Sequence, residues 1–307
     1  MPRVSSIDHA TPVRHATGPI APVVGDWAIM ETRFESPHTQ VARCVPVQRE
    51  LADGDEYLIK MPRWDAQSSE TARHIIRREA ELLNGLDHPH LISVLDADLQ
   101  HSLPFFIMPN VGHRTLRDWI GEPGSTSIHD ALWYVRQTAG ALSYLHANGW
   151  SHLDIKPENI VVNELGHVTV IDLAFATSFR THSKDRLPLT GTGQYIAPER
   201  RVRGWSVSPA ADVYSLGQVL LELLLGAPDS NSKRASDACE AREGLLVSAT
   251  SRRRAERFQL LRSFYPSLPA DFAETVERMT AAIPERRPTI EELVDCFIRW
   301  EILLWQP

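Results

Sequence analysis

Pro157 restricts this chain more than any other residue. It sits within Trp150 to Leu173, WSHLDIKPENIVVNELGHVTVIDL, and its ring removes a backbone donor and keeps the segment from continuing as helix. The resulting loop brings Asp154, Lys156 and Asn159 into one short turn, so three polar groups face one point. Two apolar β-type runs follow, Ile160 to Val162 and Val168 to Ile171, joined by a turn around Gly166, which reads as a hairpin. Asp172 lies just past the second run, where the returning strand delivers a second carboxylate toward the first.

These residue types suit one chemistry. Asp154 can accept a hydroxyl proton, Lys156 can neutralise charge on a moving phosphoryl group, and the Asn159 amide oxygen can ligate a hard cation such as Mg²⁺. A metal bound between Asn159 and Asp172 would bridge nucleotide phosphates. The competing reading is a polar loop between two strands. HLDIKPEN and DLA resemble the catalytic-loop and metal-loop patterns of the eukaryotic-type (Hanks-type) serine/threonine protein kinase family. In that resemblance Asp154, Lys156 and Asn159 are catalytic, Asn159 and Asp172 hold Mg²⁺, and His152 is structural.

The 307 residues, 43% of them hydrophobic, supply a sizeable core, and a formal charge of −7 argues against a nucleic-acid binder. The clusters Arg200, Arg201, Arg203 and Arg252 to Arg254 read as solvated faces. Cys44, Cys239 and Cys296 are too few and too scattered for a disulfide framework or a zinc site. The longest apolar stretch, Val219 to Leu225, is short and broken by Glu222, so no membrane span is expected. A cytoplasmic protein in a reducing compartment is the expectation.

Residues 1–25 read as a flexible leader, 26–109 and 110–302 as a small and a large lobe, and 303–307 as a tail. Strands are predicted at Trp27 to Thr32, Gln40 to Gln48, Glu56 to Met61, Leu91 to Leu95 and Phe105 to Met108. Ser68 to Leu86 carries an apolar stripe at helical period, ended by Gly85 and His88-Pro89. Further helices are predicted at Leu116 to Ile120, Ile128 to Ala147, Ala211 to Leu225, Phe272 to Ala281 and Ile290 to Trp305. Strands first and helices afterwards give an α+β, two-lobed kinase-like fold with one regulatory helix in the small lobe. Residues 229–256 carry no motif.

The resemblance assigns Lys60 to the nucleotide phosphates, paired with Glu79, with Glu81 as the alternative partner. It places Val41 over the nucleotide and Met108, Pro109 and Val111 in the hinge, where the Pro109 carbonyl and Val111 N–H read adenine. The phosphate-covering loop departs from the family, with Phe34, Ser36 and Thr39 where three glycines are usual. A tight turn at Ser36-Pro37-His38-Thr39 is still expected. Each side chain forced into a glycine-only conformation costs about 1–2 kcal/mol, roughly tenfold in nucleotide affinity.

Gly191 to Glu199, ending in APE, resembles the close of a kinase activation segment. The resemblance implies that Glu199 pairs with Arg287, that Asp212 holds the catalytic-loop backbone, and that Thr192 with Lys156 marks the serine/threonine subclass. Leu153 stands where an arginine often receives the activation-loop phosphate, so activity is expected not to depend on phosphorylating Thr177, Ser178, Thr181, Ser183 or Thr190. Leu173-Ala174 replaces Phe-Gly after the metal aspartate, which biases that loop toward one state. The implied function is ATP- and Mg²⁺-dependent phosphorylation of a protein at Ser or Thr; a pseudokinase scaffold and a small-molecule kinase are the alternatives.

Overall fold

Period-two burial marks the strands. In Thr39–Pro46, Gln40, Ala42 and Cys44 are buried while Val41 and Arg43 are only partly so. The computed structural model describes residues 21–48, 57–66, 69–112, 114–120, 126–181, 193–202, 204–226, 257–266 and 268–304. The chain divides into two compact units, one of Met1–Asp87 with Ile92–Val111, the other of His88–Leu91 with Gly112–Pro307.

The first unit is an antiparallel sheet of β1 (Val23–Val24), β2 (Trp27–Glu35), β3 (Thr39–Pro46), β4 (Tyr57–Pro62), β5 (Asp96–Asp98) and β6 (Phe105–Pro109), in the order β1-β2-β3-β4-β6-β5. β1 falls in the segment read as leader, a correction for residues 21–25: Val23 and Val24 pair with Ala28 and Trp27. Gly25 turns the chain at φ 56°, and a Cβ there would sit 2.8 Å from the Phe105 ring, so only glycine fits. Val24, Ile29, Ala42, Cys44, Ile59, Met61, Leu103, Phe105 and Ile107 form the core. β2 slips register between Ile29 and Glu31 and again between Thr32 and Phe34, and it is exposed from Met30 outward. The helix α1 (Glu70–Asn84) starts at Ser69, whose side chain accepts from the Ala72 N–H.

The strand expected at Leu91–Leu95 is not there. Leu91 instead makes an isolated bridge to Val170. The Val170 N–H donates to the His90 carbonyl at 2.9 Å, and the His90 and His167 rings bond the Val168 and Pro89 carbonyls. Residues 88–91 therefore belong to the second unit, and the sheet resumes at β5, whose three residues are all exposed.

The second unit is built on α3 (Ile128–Ala147), opened by a capping box in which Ser127 and Asp130 satisfy each other's backbone N–H. It packs against α4 (Ala210–Leu225) and α6 (Ile290–Leu304), and α4 packs against α5 (Ala270–Met279). At Gly217 a Cβ would lie 2.9 Å from Met279 Cβ and Thr280 Cγ2, so this glycine lets α4 and α5 touch. Arg136 Nε bridges to both Glu301 oxygens at 2.9 Å, tying α3 to α6. The short α2 (Leu116–Ile120) precedes α3, and residues 257–264 are helical, an element the sequence pattern did not show. Two two-stranded ladders complete the unit. One is the predicted hairpin, β8 (Ile160–Val162) with β9 (Val168–Val170); the other joins β7 (Trp150–Ser151) to β10 (Thr177–Ser178). Among the described residues no helix is long and apolar enough to cross a membrane.

Candidate active site

Pro157 opens a single 3-10 turn, Pro157–Asn159, where its missing N–H leaves no bond unmade. This turn folds Asn159 back onto the loop before it. Asn159 Nδ2 donates to the Asp154 carbonyl at 2.8 Å and to Asp154 Oδ2 at 2.9 Å, while Lys156 Nζ reaches the same Oδ2 at 2.6 Å. Asp154 is buried, and burial, with Asp172 nearby, raises its pKa above the ordinary carboxylate value against the opposing pull of Lys156. His152 is fully buried, which lowers its pKa and keeps it neutral, so its Nδ1 accepts the Asp154 N–H at 3.3 Å.

Asp212, in the first turn of α4, supports this loop from below. Its carboxylate accepts the His152 N–H at 2.9 Å, the Leu153 N–H at 2.7 Å and His146 Nε2 at 2.8 Å. Burial alone raises a carboxyl pKa, but the His146 bond and the other donors outweigh it and hold Asp212 below its ordinary value.

Asp172 leaves the hairpin at φ 64°; Asp172 and Leu153 are the only non-glycine residues at positive φ among those described. The Ile171 N–H donates to the Asn159 carbonyl at 2.9 Å, so the segments carrying Asp172 and Asn159 are joined through backbone. The Ala174 N–H approaches Asp172 Oδ1 at 3.4 Å, and Leu173 is buried. An amide oxygen and a carboxylate form a hard, two-ligand donor set, which fits Mg²⁺ completed by phosphates and water. Among the described residues no three His, Cys, Asp or Glu side chains gather as an all-protein cage.

Glu199 meets Arg287, the pairing that the resemblance implied, at 2.6 Å and 2.7 Å. Thr192, Ser183, Thr190 and residues 229–256 lie outside the described residues. Two features went unread in the sequence. Glu222, taken for a break in an apolar run, is buried and accepts from Arg117 Nη1 at 2.6 Å and from the Tyr195 hydroxyl; Arg117 Nε also reaches Glu158 at 2.8 Å. Arg200, read as part of a solvated cluster, is buried and donates Nη1 to the Leu153 carbonyl. A charge inside an apolar helix and an arginine directly after the APE end were the available signals.

In the first unit Lys60 Nζ lies 2.8 Å from Glu79 Oε1 and 2.7 Å from Oε2, both residues buried, whereas Glu81 is exposed. Val41 stands opposite Lys60 across β3 and β4. Met108 and Pro109 end β6 opposite Leu58 and Tyr57, and Val111 follows, partly exposed. The β2–β3 turn is closed by Ser36: its N–H donates to the Thr39 carbonyl at 2.8 Å, and its Oγ accepts from the Thr39 N–H at 2.9 Å. No residue of this turn takes positive φ, so the expected strain of replacing three glycines does not arise.

The family model described as protein kinase domain matches residues 40–297. Serine/threonine-protein kinase PrkC of Bacillus subtilis is 30% identical over 244 residues, 78% of this chain and 35% of that protein. Serine/threonine-protein kinases PknB of Mycobacterium leprae and Mycobacterium tuberculosis are 34% and 32% identical, over 61% and 60% of this chain and 30% of each relative. The chain thus spans about a third of the length of these curated relatives. With the model covering most of its length, this chain belongs to the protein kinase domain family.

Proposed function

We propose that this chain is a serine/threonine protein kinase. It transfers the γ-phosphoryl group of ATP to a Ser or Thr hydroxyl of a protein substrate, without requiring phosphorylation of its own 177–190 segment. The observation that carries this reading is the convergence of Lys156 and Asn159 on one oxygen of Asp154. The substrate oxygen forms a bond to Pγ as the bond from Pγ to the bridging oxygen breaks and ADP leaves; the hydroxyl proton passes to Asp154. Burial makes Asp154 a better proton acceptor than an exposed carboxylate. Lys156 offsets charge on the transferring group, and Lys60, held by Glu79, addresses the phosphates. Asn159 and Asp172 would hold Mg²⁺, which would supply positive charge to the phosphates. The Pro109 carbonyl and Val111 N–H serve adenine, and Val41 covers it.

The relatives' names support the serine/threonine class. The scaffold reading drew on the missing glycines, Leu153 and Ala174, and an unstrained turn takes the first of these supports away. A small-molecule kinase has no need of the Glu199–Arg287 anchor. The scattered cysteines suit a cytoplasmic setting. Incubation with Mg²⁺, radiolabelled ATP and a generic basic protein, beside Asp154→Ala, tests the proposal. Label on Ser or Thr only with the intact aspartate supports it; equal absence of label from both refutes it.

A further inference from the structure

Leu153 holds φ 64°. This conformation costs a side-chain-bearing residue about 1–2 kcal/mol and persists only where the surroundings over-determine it. Three contacts do so. Its N–H donates to Asp212 Oδ1 at 2.7 Å. Its side chain is buried in a cluster with Ala197, Val207 and Ala211. Its carbonyl accepts from Arg200 Nη1. That carbonyl shares a rigid peptide plane with the Asp154 N–H, which is itself bonded to His152 Nδ1. Bonds on both edges of the plane fix the direction in which the Asp154 side chain leaves the backbone.

Arg200 is placed for this task. Its guanidinium carbon lies 5.5 Å from the Trp205 ring centroid, and its charge faces Asp212, Asp154 and Glu199. Its backbone belongs to the turn Pro198–Arg201, whose Glu199 is gripped by Arg287. A continuous chain of contacts therefore runs from Arg287 through Glu199 and Arg200 to the Leu153 carbonyl and Asp154.

We propose that Arg200 is a positioning residue for phosphoryl transfer. It clamps the Leu153–Asp154 peptide and couples the segment ending at Glu199 to the catalytic carboxylate with no phosphate involved. Leucine at position 153 closes the usual phosphate-dependent route, and Arg200 supplies a built-in one. The rate consequence rests on the kinase reading above; the clamp itself does not.

The test compares wild type, Arg200→Met and Arg200→Lys by hydrogen exchange and by steady-state kinetics. In Arg200→Met, amides of residues 150–156 exchange faster while those of α3 and α4 keep their protection. Its kcat falls by about 10- to 100-fold, as expected for a misplaced reacting group, with the KM for ATP within about twofold. Arg200→Lys, which keeps a cationic donor, recovers part of both. Unchanged exchange at 150–156 overturns the proposal, as does protection lost uniformly across α3 and α4 without rescue by lysine. A wild-type protein that transfers no phosphate refutes the kinase reading, and the exchange measurement still decides the clamp.

Discussion

Arg287 grips Glu199 with two parallel bonds, Nη1 to Oε1 at 2.6 Å and Nη2 to Oε2 at 2.7 Å. The same guanidinium donates Nε to the Ala281 carbonyl at 2.9 Å and Nη1 to the Ala210 carbonyl at 2.8 Å. The turn at Pro198–Arg201, the start of α4 and the chain after α5 are thus tied at one buried point. Arg287→Met leaves Glu199 without its counter-charge and is expected to lower stability by about 3–5 kcal/mol. Arg287→Lys recovers little, since an ammonium cannot form the planar fork. Urea melts read both; midpoints equal to wild type would show the pair to be incidental.

Lys60 and Glu79 are both buried, and each stands as a counter-charge to the other. Under the proposed mechanism Lys60→Met removes the phosphate contact, and kcat is expected to drop by about 10²–10³. Glu79→Gln keeps the shape of the site but loosens the lysine. Its main effect is a higher KM for ATP, and a normal KM in that variant would sever the pair from nucleotide binding.

The β2–β3 turn gets its shape from Ser36 instead of glycine. Ser36 Oγ accepts the Thr39 N–H at 2.9 Å and the His38 N–H at 3.3 Å and lies 2.9 Å from Thr39 Oγ1. Ser36→Ala deletes this set at a partly buried site, where a lost turn bond costs about 1 kcal/mol. Isothermal titration with a non-hydrolysable ATP analogue is expected to show affinity reduced by roughly fivefold, the equivalent of that energy. Ser36→Gly brings no improvement over wild type, because no residue here needs positive φ. A gain in affinity from glycine would mean that the turn is strained after all.

What the sequence made legible was local. Asp154, Lys156 and Asn159 fall within one turn, so a proline and a motif predict their convergence. Glu79 was preferred over Glu81 on motif position, and it lies on the α1 face with Ile75, Ile76, Leu82 and Leu83. What stayed hidden depends on tertiary partners. β5 is Asp96-Ala97-Asp98, exposed at all three residues and paired through its backbone to β6, so no hydrophobic period marks it. Leu91 looked like strand because it is apolar and buried, but its one bridge goes to Val170, a distant residue of its own second unit, and not to the sheet of the first. Arg200 and Glu222 have the composition of surface residues; only the long-range partners Leu153 and Arg117 bury them.

Leu153 offers an activation-loop phosphate no positive charge, and one of the described acceptors, Thr177, is poorly placed to be modified. Thr177 is buried, and its Oγ1 donates to the Phe175 carbonyl at 2.9 Å. The proposed kinase therefore keeps its rate, within about twofold, after exhaustive phosphatase treatment. Mass spectrometry confirms that phosphate has been removed before the assay. A rate lost on dephosphorylation and restored by autophosphorylation would refute independence and also weaken the case for Arg200 as a built-in clamp.

Cys44 lies in the core of the first unit, and burial pushes its thiol pKa up from 9.0 to about 12. The thiolate is the reactive form, so the folded protein should resist alkylation there at a pH where an ordinary cysteine reacts. The same shift fixes the direction of a stability effect. The folded state keeps the proton more tightly than the unfolded chain, so stability from this residue is whole below 9.0 and declines as pH rises above it. Iodoacetamide labelling followed by peptide mass spectrometry is expected to leave Cys44 unmodified in native protein, to label the partly exposed Cys296 ahead of it, and to modify Cys44 only in concentrated urea. Rapid native labelling of Cys44 would show that the sheet opens readily and that its core is not closed as the structure has it.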